Sequence, residues 1–160
     1  MHNDKIRIES ASEADIPLLL TFIRELAAYE ELLDYVSVTE ERLRQALFGN
    51  NARAHAVIAY LDDLPVAFAI YFFTLSTFEG RPGLYIEDIF VRQTFRRFGI
   101  GRKLLGFLAQ AAREHGCGRI ELSVLNWNEQ AIQFYKSLGG EPVNGWTVFR
   151  FSEKAITDLS

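Results

Sequence analysis

The spacing of apolar positions changes along the chain, and each change marks a new element. Ile6 and Ile8 alternate with polar residues between Lys5 and Ser10, which predicts a first strand. Ile16, Leu19, Leu20, Ile23, Leu26 and Ala27 then recur at helical spacing. Ser12 with Asp15 three residues later starts this helix in the manner of a capping box. It runs to Tyr29-Glu30, where E-E-L-L-D-Y leads into a loop. Thr39 opens a shorter helix with Leu43, Ala46 and Leu47 inward, and Gly49-Asn50-Asn51 stops it. Ala54–Leu61 and Leu64–Thr74 read as strands joined at Asp62-Asp63, with Pro65 tolerated near a strand start. Ser76 to Gly83, holding Gly80, Pro82 and Gly83, reads as a loop.

Leu84–Val91 is apolar except at Glu87 and Asp88, and is rich in β-branched and aromatic residues, so it predicts a buried strand. After Gly101 a helix follows, with Leu104, Leu105, Leu108, Ala111 and Ala112 inward, ending near His115-Gly116. Arg119–Leu125 reads as a strand, Asn128 caps a helix through Leu138, and Gly139-Gly140 ends it. Gly145–Phe151 alternates and predicts a last strand; the polar tail 153–160 belongs at the surface. Strands and helices in mixed order predict one α/β (α+β) domain over residues 1–160, with helices on both faces of a sheet. The strand–turn–helix–strand unit from 84 to 125 predicts a right-handed parallel crossover.

The 160 residues, 49% hydrophobic and 24% charged, suit one globular domain with a full core. A net charge of −4 argues against a nucleic-acid binder. The basic cluster at 92–103 is local and suits a small anion. The one cysteine, Cys117 between two glycines, reads as structural filler and fits a reducing compartment. The N-terminal M-H-N-D-K lacks an apolar signal core, and no apolar run reaches the ~18 residues that span a membrane. A cytoplasmic protein is expected. His2, His55 and His115 are scattered, so no metal site is expected.

Between the 84–91 strand and the next helix lies R-R-F-G-I-G, residues 96–101. Gly99 and Gly101 carry no Cβ and let backbone approach a ligand. The helix after them offers unpaired N–H groups and a positive dipole end, where a phosphate binds. Arg96, Arg97, Arg102 and Lys103 add charge. Leu104 stands where a dinucleotide fingerprint needs its third glycine or alanine, and Gly101-Arg102-Lys103 does not make a P-loop. A site for a pyrophosphate-bearing cofactor remains.

R-x-x-G-x-G after a strand resembles the cofactor signature of the GCN5-related N-acetyltransferases. K-I-R-I, I-R-E-L-A-A-Y-E at 23–30, Y-F-F-T at 71–74, Y-I-E-D-I-F-V at 85–91, N-W-N-E-Q-A-I-Q-F-Y-K at 126–136 and G-W-T-V-F at 145–149 fall in the order of that family's diamine (spermidine/spermine) and thialysine branch. The resemblance implies a twisted, mixed but mostly antiparallel sheet of six to seven strands flanked by about four helices. It implies acetyl transfer from acetyl-coenzyme A to a primary amine, directly in a ternary complex, and a homodimer.

Site residues follow from the same resemblance. The turn Arg96, Arg97, Phe98, Gly99, Ile100, Gly101 and Arg102 would hold the pyrophosphate. Ile89, Phe90 and Val91 would pair backbone with the pantetheine arm, an amide of Phe90 or a neighbour polarising the thioester. Asn128, Glu129, Gln130 and Ala131 would also meet the cofactor. Glu87 would accept the amine's proton, directly or through water, and Tyr135 would protonate the leaving thiolate; a phenol at pKa ~10 can do this for a thiol at ~8.5. Glu87 and Asp88, adjacent on a strand, face opposite sides, and a strand this apolar buries at least one of them in part. A buried carboxyl has a raised pKa and suits base chemistry near neutrality. Tyr29, Glu30, Asp88, Glu121, Leu122, Ser123 and Asn144 would line the substrate site.

Read without the resemblance, Tyr135 is a core aromatic beside Ile132 and Leu138, and Glu30 a solvated helix end. Three positions depart from the polyamine enzymes. Ser76 and Phe78 stand where those carry Asp and Trp, and Asn144 stands where they carry Glu, after a loop about three residues shorter. Each missing charge would contribute ~1 kcal/mol to holding a cation. The acceptor is expected to be a diamine, a polyamine or a lysine-like amino acid, with a smaller primary amine or a lysine-like amino acid favoured at least as much as a long polyamine such as spermine. A non-catalytic acyl-coenzyme A sensing module and a peptide or protein N-acetyltransferase are the alternatives.

Overall fold

The computed structural model describes residues 5–160. The N-terminal stretch through Asp4, with His2, lies outside the described residues. The chain divides into two compact units, residues 1–123 and 124–160.

The first unit is built on one five-stranded sheet: β1 (Ile6–Ser10), β2 (His55–Leu61), β3 (Leu64–Ser76), β4 (Arg81–Val91) and β5 (Ile120–Leu122), in that spatial order. The first four pair antiparallel and β4–β5 is parallel. Helices α1 (Ile16–Tyr29) and α2 (Glu40–Phe48) share one apolar cluster with Ile58, Phe68, Ile70 and Phe90. Helix α3 (Ile100–Glu114) shares another with Val57, Ala69, Leu84 and Ile86. Helices therefore cover both faces, as a sheet apolar on both sides requires. The core against α1 is centred on Phe22 and Phe68, both fully buried and stacked at 5.2 Å. The caps read from sequence form here: Asp15 accepts from the Ser12 N–H at 2.8 Å, and Thr39 accepts from the Arg42 N–H at 3.2 Å.

Among the described residues five strands form, fewer than the six to seven expected. The expected loop Ser76–Gly83 is shorter, because the β3–β4 ladder continues through Thr74↔Gly83, Leu75↔Pro82 and Ser76↔Arg81. Proline is tolerated there because the Pro82 carbonyl, accepting from the Gly118 N–H at 2.9 Å, faces β5, so β3 loses no donor.

The second unit holds α4 (Glu129–Ser137) and α5 (Glu153–Leu159). Asn128 caps α4 by accepting from the Ala131 N–H at 3.2 Å, and Gly139 leaves it at φ +92°. The strand expected over Gly145–Phe151 does not form, and the segment is exposed. Alternation alone does not make a strand; a ladder partner does, and none pairs with it among the described residues. The tail forms α5, capped by the Ser152 hydroxyl accepting from the Ala155 N–H at 3.2 Å.

Candidate active site

Strand β4 is interrupted at one residue. Ile70 pairs with Asp88 but Tyr71 pairs with Ile86, so Glu87 is an extra residue, a β-bulge. Ile86 and Phe90, four apart and so on one face of a regular strand, consequently join opposite apolar clusters. Below the bulge, β5 pairs with β4 at Leu84, Tyr85 and Ile86 only. From Glu87 to Val91 the β5-side edge of β4 carries no ladder partner among the described residues.

Hydrogen-bond parity assigns the amides on that edge. The Arg92 N–H donates to the Val66 carbonyl at 3.0 Å, and an antiparallel ladder alternates. The Phe90 amide therefore faces Phe68 on β3, and those of Ile89 and Val91 face the open edge. Of the expected Phe90 or a neighbour, the neighbours Ile89 and Val91 have their amides on the open edge, while the Phe90 ring packs in the core beside α1.

The turn beyond β4 shows why glycine is needed. Gly99, the N-cap of α3, sits at φ +80°, and Arg97 at φ +70°. A glycine N-cap provides no side-chain acceptor, so the first-turn amides at Ile100, Gly101 and Arg102 have no cap within the helix. Arg97, Phe98, Gly99 and Arg102 are exposed, whereas the Ile100 side chain is buried and contributes backbone only. An open strand edge running into an uncapped helix N-terminus fits an extended amide-bearing arm ending in a pyrophosphate.

Glu87, at the bulge, is exposed; Asp88 is half-buried. Burial first, then the charges of Glu87 and Glu30, push the Asp88 carboxyl up from 3.8 to about 6. Burial likewise raises Glu30, at the C-terminal end of α1. The Glu30 charge, at the end of α1, thus reaches the Asp88 carboxyl on β4. Tyr29 lies beside Phe90 at 6.1 Å, and the Arg96 guanidinium covers the Tyr29 ring at 4.5 Å. Sequence reading placed Tyr29, Glu30 and Asp88 in one site on resemblance, and the first unit gathers them. It did not anticipate Arg96 there, nor Arg92, which grips Glu25 at 2.8 and 2.9 Å. No local signal marks these contacts, because they join segments 67 residues apart.

The remaining expected residues have structural engagements. Glu121 is ion-paired with Arg119 at 2.8 Å, Leu122 packs in the cluster under α3, and the Ser123 hydroxyl bonds to the Tyr85 hydroxyl at 2.8 Å. Ser76 is buried and accepts from the Glu79 N–H at 3.3 Å in the β3–β4 turn, while Phe78 is fully exposed. In the second unit, Tyr135 lies on α4 with its ring 5.5 Å from that of Phe134. Glu129 accepts from the Gln133 side-chain amide at 2.6 Å, and Gln130 and Ala131 share its helix. Asn144 is exposed on the segment between α4 and α5.

A family model described as "Acetyltransferase (GNAT) family" matches residues 23–139. The chain belongs to this family. It is similar to the thialysine N-epsilon-acetyltransferases of Bos taurus and Sus scrofa, at 37% and 38% identity over 166 residues, with 97% of each chain covered. Among solved structures it is similar to an integron cassette protein from the mobile metagenome of V. cholerae, at TM-score 0.79 and 25% identity over 97% of each chain. The GNAT chain described here is an acetyl-coenzyme A-dependent N-acetyltransferase. Among the described residues, no helix is long and apolar enough to cross a membrane.

Proposed function

We propose that this enzyme acetylates the terminal primary amine of a small, lysine-like amino acid or short diamine, directly from acetyl-coenzyme A in a ternary complex. The observation that carries the reading is the carboxyl pair Asp88 and Glu30, both pushed up by burial beside the open edge of β4. Paired carboxyls that resist ionisation are stabilised by a cation that shares their site, and an alkylammonium supplies one. The thialysine enzymes of similar length support the lysine-like choice. Ser76, which caps a turn, and Asn144 add no anionic charge for a longer polycation.

The chemistry follows. Amides of Ile89 and Val91 on the open edge hold and polarise the acyl arm of acetyl-coenzyme A, and the α3 N-terminus with Arg97 and Arg102 binds its pyrophosphate. Asp88 and Glu30 draw in the ammonium. Glu87, exposed at the bulge, accepts the ammonium proton through water, which frees the nitrogen lone pair. The nitrogen forms its bond to the acetyl carbon and gives up its second proton to solvent water, the carbon–sulfur bond breaks, and Tyr135 gives its proton to the departing thiolate and regains one from solvent. Residues 1–160 would act as one N-acetyltransferase domain in a cytoplasmic homodimer. The run of exposed Val143, Trp146, Val148, Phe149 and Phe151 in the second unit supports a partner surface.

The test is thiol release from acetyl-coenzyme A against thialysine, lysine, ornithine, putrescine, spermidine and spermine, with wild type and Tyr135→Phe side by side. Turnover of a lysine-like amine that falls at least tenfold in the variant is expected. A preference for spermine refutes the substrate class, and undiminished turnover in Tyr135→Phe removes that acid. A peptide acceptor preferred over every small amine would favour the protein-acetylating alternative.

A further inference from the structure

Arg96 opens the glycine-turn signature, and its place in that motif suggests a phosphate ligand. Its side chain is engaged elsewhere. Arg96 Nε donates to the Val91 carbonyl at 3.0 Å, and the guanidinium carbon lies 4.5 Å from the Tyr29 ring centre and 5.7 Å from that of Phe90. The residue is half-buried, whereas Arg97 and Arg102 on the same turn are exposed. Guanidinium stacking on an aromatic face is directional and is lost when lysine replaces arginine.

A second arginine shows what Arg96 is not needed for. Arg92 grips Glu25 through two bonds at 2.8 and 2.9 Å, donates to the Pro65 carbonyl at 2.8 Å and covers the Phe22 ring at 4.6 Å. Phe22, Glu25 and Tyr29 are three and four residues apart, so they line one stripe of α1. Arg92 and Arg96, also four apart, meet that stripe at successive turns. Arg92 fixes the body of α1 to the end of β4. Arg96 lies over its last residue, Tyr29, next to Glu30.

From these contacts we infer that Arg96 is a positioning residue for the amine site: clasped between the Val91 carbonyl and the Tyr29 ring, it sets Glu30 against Asp88 and thereby governs amine binding rather than pyrophosphate binding. The inference rests on the amine-site reading of Asp88 and Glu30. It also makes the end of the cofactor turn and the end of the amine site one connected piece, joined through a single side chain.

The experiment measures KM for thialysine and for lysine, KM for acetyl-coenzyme A, and calorimetric Kd for coenzyme A. The full-length proteins are wild type, Arg96→Lys, Arg96→Met, Tyr29→Leu and Asp88→Asn, with Arg92→Met as the control for α1 anchoring. Both Arg96 variants should raise amine KM at least fivefold and leave KM for acetyl-coenzyme A and Kd for coenzyme A within twofold. Arg96→Lys separates stacking from charge, since it keeps the cation. Tyr29→Leu should reproduce the split, and combined with Arg96→Met it should add little, because the two residues act as one contact. Should Arg96→Met fail to fold, Arg96→Lys and Tyr29→Leu carry the test. Arg92→Met should lower Tm more than either Arg96 variant. A fivefold rise in KM for acetyl-coenzyme A with amine KM unchanged would make Arg96 a phosphate ligand and overturn the inference. Unchanged values for both substrates would overturn it equally. If Asp88→Asn leaves amine KM unaltered, or neither amine is turned over, the amine-site reading itself falls. If Asp88→Asn raises amine KM while the Arg96 variants do not, only the role of Arg96 falls.

Discussion

Asp88→Asn should make the protein more stable and the enzyme worse. Raising the carboxyl from 3.8 to about 6 corresponds to about 3 kcal/mol of disfavoured ionisation in the folded state. The sign follows from proton counts. In the unfolded chain the group loses its proton near 3.8; in the folded protein it keeps it to about 6. Between these values the folded state holds the extra proton, so stability falls as pH rises through the window. Above about pH 6 the whole cost is present, and below about pH 4 it is absent. Asparagine keeps the shape and removes the charge. At pH 7.5 the variant should therefore gain up to about 3 kcal/mol, or about 6–12 °C in Tm for a chain of this size. At pH 4 the two proteins should agree within about 0.5 kcal/mol. Burial is the largest cause of the effect, and the charges of Glu87 at the bulge and Glu30 at the end of α1 add to it.

Urea unfolding of wild type and Asp88→Asn at pH 4 and pH 7.5, followed by tryptophan fluorescence, measures both differences. Thialysine at saturating concentration adds a second contrast: it should stabilise wild type at pH 7.5 and have far less effect on the variant, whose amine KM rises. A variant that is less stable at pH 7.5, or a wild type–variant difference that is the same at both pH values, would refute the reasoning. It would mean that Asp88 is satisfied by partners in the folded protein and is not held there for a cation.

The other predictions are local. Glu87→Gln should leave unfolding free energy within about 0.5 kcal/mol, since the residue is exposed, yet lower kcat at least tenfold in steady-state assays. Gly99→Ala places a Cβ at φ +80° and should cost about 1 kcal/mol of stability while raising KM for acetyl-coenzyme A, read by unfolding and kinetics together. Light scattering should give twice the mass of the chain for wild type, and Trp146→Asp or Phe149→Asp in the exposed run should give the monomer.

The glycine turn was legible because its chemistry is local: a positive φ and an uncapped helix start call for glycine wherever they occur. The helix caps at Ser12, Thr39 and Asn128 were legible for the same reason, each reaching three residues along the chain. Glu87-Asp88 was not legible. Two adjacent charges in an apolar strand mark an irregularity, but alternation cannot say which of them faces the helix and which is left over as a bulge. That is settled by the register against Ile70 and Tyr71 on β3, a pairing made across the sheet. Pattern misled at Gly145–Phe151, where alternation is present and a neighbouring strand is not. It misled again at Ser76–Gly83, where proline and glycine suggested a loop but the direction of the Pro82 carbonyl allows the hairpin to continue.

The bulge explains why the parts of the site lie together. Without the extra residue, β4 would continue to alternate regularly past Ile86, and residue 88 would share the face of Ile86 in the cluster under α3. With it, the second half of the strand is turned over: Asp88 and Phe90 look toward α1, and the amides of Ile89 and Val91 look into an edge that β5 no longer covers. On the proposed reading, one inserted residue thus supplies both a half-buried carboxyl for an amine and open-edge backbone donors for an acyl carrier, at adjacent positions on one strand. A deletion that restores regular pairing, removing Glu87, should then abolish amine and coenzyme A binding together. No single side-chain replacement at this strand should do both.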